Sequence, residues 1–93
     1  MTKRSALLTA GALLLLGQFP LAQAAQAQEC AQLWYERNAV YKAAGYCFRT
    51  ARAIAAFGNA GCLYDSESEL PLSAAQRRRV ADLQAQERAL GCR

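Results

Sequence analysis

The chain has 93 residues, 54% hydrophobic and 19% charged, with no His and a formal net charge of +4. That length holds at most one small domain, too small for a conventional multi-layer enzyme. Without His there is no Ser-His or Cys-His pair to activate a nucleophile.

The first 27 residues read as a secretory signal peptide. Lys3 and Arg4 form a positive start, and an 11-residue apolar stretch runs from Ala6 to Leu16. Gly17, Gln18 and Pro20 then break the run before Ala22-Gln23-Ala24 and Ala25-Gln26-Ala27, two triplets that fit the small-x-small cleavage rule. The stretch is well short of the roughly 18 to 20 apolar residues that span a bilayer. The lipid-attachment alternative fails because Gln28 and Glu29, not small residues, precede Cys30. The expectation is a product in the periplasm or medium, comprising residues 28–93, with no stable membrane span after cleavage. The product starts at Ala25 or Gln28, depending on the triplet used. Losing Lys3 and Arg4 leaves nine bases against seven acids, a balance of +2. That is an ordinary solubility charge and gives no reason to expect nucleic acid as a partner.

All four cysteines, Cys30, Cys47, Cys62 and Cys92, lie in the mature region, and an even count in a short exported chain implies disulfides. The spacings contain no C-x-x-C, so a thioredoxin-like motif is absent and the pattern is unlike a zinc ribbon. Neither a metal nor another cofactor is expected.

The fold class reads as all-α, with two longer helices and one short helix stapled by two disulfides. Residues 28–93 contain four β-branched residues against fourteen alanines, a composition that favours helix over strand. A first helix is expected from near Cys30 to Ala44, stopping at Gly45. A short second helix starts after Thr50 as N-cap, places Ala53, Ile54 and Phe57 on one face, and ends at Gly58. Gly58-Asn59-Ala60-Gly61 makes a turn, and an acidic loop, Asp65 to Glu69, leads to Pro71. Ser73 caps the third helix with Gln76 in capping-box position, and Gly91 ends it.

On the first helix Cys30, Leu33, Trp34, Val40, Tyr41 and Ala44 form one apolar arc, with Arg37 at its centre. On the third helix Val80, Leu83 and Leu90 define the stripe, with Gln76 and Glu87 also on it. An unpaired buried charge costs several kcal/mol, so the economical arrangement pairs Arg37 with Glu87 as a structural ion pair. The functional alternative makes Arg37 an anion-binding residue and Glu87 a general acid. Cys30 and Cys47 stand about 22 Å apart along a continuous helix, too far for a bridge that needs Cα atoms within about 7 Å. This leaves nested pairing (Cys30 with Cys92, Cys47 with Cys62) or crossed pairing (Cys30 with Cys62, Cys47 with Cys92). Nested pairing is favoured because antiparallel helices registered at Cys30 and Cys92 bring Arg37 within reach of Glu87.

Leu33-Trp34-Tyr35-Glu36-Arg37-Asn38-Ala39-Val40-Tyr41, followed by Gly45-Tyr46-Cys47-Phe48, resembles the core of the YARHG domain, a small extracytoplasmic bacterial module. The matching elements are Arg-Asn, the Tyr three residues later, Gly-Tyr-x-Phe, and later Phe57, Tyr64 and a closing helix containing a Glu. They cover roughly residues 30 to 92. The name-giving Tyr-Ala-Arg-His-Gly string departs, reading Tyr41-Lys42-Ala43-Ala44-Gly45. The resemblance implies an exported helical module without an established molecular function, and it does not imply an enzyme.

Other motifs are bland. Arg77-Arg78-Arg79 points in three directions on a helix, as an ordinary solvated stretch does. Asp65 to Glu69 lacks the mid-loop Gly and ligand spacing of a calcium loop. Most of Trp34, Tyr41, Tyr46 and Tyr64 are needed for a core, whereas Tyr35 faces about 100° away from Trp34, toward solvent or a partner. The leading expectation is a non-catalytic envelope interaction or scaffold module, binding an envelope protein or glycan through exposed aromatics and Arg. The alternative is a periplasmic thiol-redox or oxidative-stress protein. A carboxylate enzyme ranks third, because no pair of carboxylates can be placed in a cleft.

Overall fold

Alanine-rich segments with few β-branched residues fold here into helices. The computed structural model describes residues 2–93, with side chains from residue 20 onward. Helix α1 spans Thr2–Ala43, α2 Ala51–Phe57 and α3 Ala74–Ala89, with a 3-10 turn at Glu67–Glu69. The fold is all-α, and the described residues contain no strand, only an isolated bridge between Tyr46 and Tyr64. Of the expected export signal, Met1 and the side chains up to residue 19 lie outside the described residues.

The expected start of the first helix near Cys30 needs correction. Helix α1 begins at Thr2 and carries Pro20 within it. Leu, Ala and Gln on both sides of Pro20 are strong helix formers, and a proline removes one backbone donor without preventing the helix from resuming. Among the described residues no helix is long and apolar enough to cross a membrane.

The other helix boundaries follow local chemistry. Thr50 accepts the Ala53 N–H and caps α2, which Gly58 ends with φ 68°. Ser73 and Gln76 form a reciprocal capping box at the start of α3. Ile54 departs from the expected buried face of α2 and is 43% exposed. Ala53 and Phe57 sit about 40° apart on the helix wheel, and Ile54, about 100° from Ala53, falls beyond the one packed side of this seven-residue helix.

Helices α1 and α3 pack antiparallel, closed at one end by the Cys30–Cys92 bridge with Cα atoms 5.5 Å apart. Cys47 and Cys62 form the second bridge, so the pairing is nested. Between the helices sit Tyr41, Phe48, Ala53, Leu70 and Val80, with Trp34, Tyr46, Phe57, Tyr64 and Leu72 packed around them. Leu83 is 1% exposed. The α1–α2 connection is tied to the segment after α2 by backbone bonds from Cys47 N–H to the Tyr64 carbonyl (2.7 Å) and from Leu63 and Tyr64 N–H to the Gly45 carbonyl (2.7 and 3.0 Å). Asn59 continues the ladder with its side chain. It accepts the Phe48 N–H at 2.7 Å and donates to the Phe48 carbonyl at 2.9 Å, replacing a strand partner with an amide.

Candidate functional site

Arg37 and Glu87 meet across the α1–α3 interface. Arg37 Nε donates to Glu87 Oε1 at 2.6 Å and Nη2 to Oε2 at 3.2 Å, a two-point contact that orients both groups. Their side chains are 19% and 14% exposed. Donating to the Glu87 carboxylate raises the Arg37 pKa further, against the opposing effect of burial. Tyr41, one turn along α1 and 3% exposed, faces Arg37 and Glu67. Burial first, and the Glu67 charge second, push its hydroxyl above the ordinary value of 10.0, while the Arg37 bond pulls the other way. The cluster joins α1, α3 and the acidic turn. A shallow groove of about 360 Å³ passes it, lined by Arg37, Glu87, Arg88 and Arg93.

A second arrangement builds the opposite side of α1. Tyr35 stacks on Phe57 with ring centroids 4.9 Å apart, and Phe57 stacks on Phe48 at 5.2 Å. Phe48 meets Tyr46 edge-on at 5.2 Å, and Tyr46 meets Tyr41 at 5.8 Å. The rings form a ladder from the core to a half-exposed end, Tyr35, at 52% exposure. Trp34 lies tilted against Phe57 at 6.0 Å, and the Arg52 guanidinium rests 3.8 Å above the Trp34 ring. Trp34, placed on the apolar arc, is therefore only half-buried. Arg52 is a member of this site that sequence reasoning passed over, as it did Asn38, which is buried and donates to the Trp34 carbonyl. Arg52 and Phe57 lie five residues apart, about 140° on the α2 wheel, so no same-face pattern in the sequence links them.

The three consecutive arginines separate as their helix positions require. Arg79 pairs with Glu36 at 2.6 Å, Arg77 borders a separate shallow groove beside Tyr41 and Glu67, and all three arginines are exposed. Among the described residues no three His, Cys, Asp or Glu side chains cluster as a metal site would require, and every cysteine is bridged. Gln26 in the expected signal segment donates its side-chain amide to the Leu90 carbonyl, just beyond the Cys30–Cys92 bridge.

The model of the YARHG domain matches residues 10–88, beginning upstream of Cys30 and stopping short of Cys92. No curated protein and no solved structure matches the chain. The domain is an extracytoplasmic module, and two disulfides fit an oxidising compartment. With this match spanning most of its length and over the same Trp34-to-Phe48 core, the chain belongs to the YARHG domain family.

Proposed function

We propose that the chain is an exported, non-catalytic module of the cell envelope that engages an envelope protein or glycan through the α1–α2 aromatic face. The observation that carries this reading is Tyr35, half-exposed yet held from behind by Phe57. A ring fixed by stacking loses little freedom on binding, so its outer face is prepared for a partner. The Arg37–Glu87 pair supports a scaffold role more than a catalytic one, because each partner satisfies the other. The redox alternative lacks comparable support, since all four cysteines are engaged in bridges.

Two measurements on the exported protein test the reading. Intact mass is expected to give a product starting at Ala25 or Gln28, and a full-length mass would refute export. Titration against isolated envelope is expected to show saturable co-sedimentation. Non-saturable loss to the pellet would refute the interaction role.

A further inference from the structure

Between Arg37 and Tyr64 the chain contains four bases, Arg37, Lys42, Arg49 and Arg52, and no Asp or Glu. Arg37 is neutralised by Glu87 on the α3 side. Lys42 and Arg49 donate to the backbone carbonyls of Gly58 and Asp65, contacts that orient their charges without cancelling them. Arg52 lies over Trp34, with no carboxylate in salt-bridge range among the described residues. The α2 side of the molecule thus combines uncancelled positive charge with the open end of an aromatic stack. The helix neighbours of Tyr35 four residues away on each side, Ala31 and Ala39, are too small to cover its ring.

Resting on the interaction reading above, we propose that this face binds a carboxylated oligosaccharide, with the C–H face of one sugar ring on Tyr35 and a carboxylate on Arg52. Aromatic rings carry negative faces that attract the polarised C–H groups of a sugar, and a guanidinium recognises a carboxylate with two parallel donors. The excess of bases over this stretch selects against neutral glycans by charge complementarity. Trp34 and Phe57 stand between Arg52 and Tyr35, so both ends are engaged only by a ligand longer than one sugar. An anionic bilayer fits less well. Helix α2 has seven residues, and Ile54 is its one large exposed aliphatic residue, which is little apolar surface to insert.

Trp34 is the single tryptophan and lies under Arg52, so its fluorescence reports movement of that guanidinium. The mature protein is titrated with oligogalacturonate, with the same oligomer methyl-esterified to remove its charge, and with phosphatidylglycerol vesicles. The expected result is a saturable change in Trp34 emission with oligogalacturonate, weakened at least about tenfold by Tyr35→Ala, by Arg52→Gln and by esterification. Tyr35→Phe, which keeps the stacked ring, retains binding and controls for folding. Equal binding of the esterified oligomer, response to vesicles alone, no saturable response, or unchanged affinity in both Tyr35→Ala and Arg52→Gln would each overturn the site. If envelope co-sedimentation persists while oligogalacturonate fails, the interaction role stands and the saccharide assignment falls.

Discussion

Arg37 and Glu87 retain 19% and 14% of their side chains in solvent, so the charge stranded by removing one partner is only partly rehydrated. Loss of one member of a fully buried pair costs about 3–5 kcal/mol; this residual exposure places either change to Ala lower, at about 2–3 kcal/mol. Replacing both together, Arg37→Met with Glu87→Leu, is expected to recover much of that loss in thermal unfolding. Additive losses would show that the two residues are not coupled. Tyr41 gives a pH signature. Its folded pKa is raised, so above pH 10 the folded state holds a proton that the unfolded state releases, and stability falls as pH rises. Melting curves between pH 9 and 11 are expected to decline more steeply for the native protein than for Tyr41→Phe. The Arg37–Glu87 meeting was readable because two opposite charges occupied apolar stripes. Arg52 was not, because a cation over an aromatic ring leaves the same sequence trace as a cation in water.

The helix ends were the most legible elements, since caps are local. Ser73 with Gln76, and Thr50 with Ala53, act within four residues. Ser73→Ala is expected to cost about 1 kcal/mol, lowering the melting temperature by about 4–8 °C for a domain of this size. Gly45 carries a second local requirement, with φ +94° and a Cβ position 3.4 Å from the Tyr64 ring. Its carbonyl accepts two N–H groups from the opposing segment, so a distortion there reaches both. Gly45→Ala is expected to cost about 1–2 kcal/mol in denaturant unfolding. The Tyr46–Tyr64 bridge and the Asn59 clamp were not legible, because they join segments with no alternating pattern and take their register from the nearby disulfide and the turn. Helix α1 outran its expected start for a related reason: Pro20 reads locally as a break, but the helix-forming residues around it override it.

At the scale of the molecule, two nested bridges supplement a core that is small and largely aromatic. Chain-entropy estimates assign about 4 kcal/mol to Cys30–Cys92 and about 3 to Cys47–Cys62. These contributions are comparable to the whole net stability of a domain this size, so reduction is expected to abolish the cooperative melting transition. A melting transition surviving full reduction, verified by thiol titration, would contradict this. The nested topology was legible because helical distance ruled out one pairing and the charge register favoured another. The outer bridge has a mechanical consequence. Residues 31–91 lie inside the loop that it closes. A pull applied through the chain on either side runs from Cys30 to Cys92 through a covalent bond, and α1 beyond Cys30, α2 and α3 carry none of the load. Held at both ends, the molecule would therefore keep its Tyr35 face folded under tension. Only after a reductant opens both bridges would extension release the roughly 200 Å of chain held between Cys30 and Cys92.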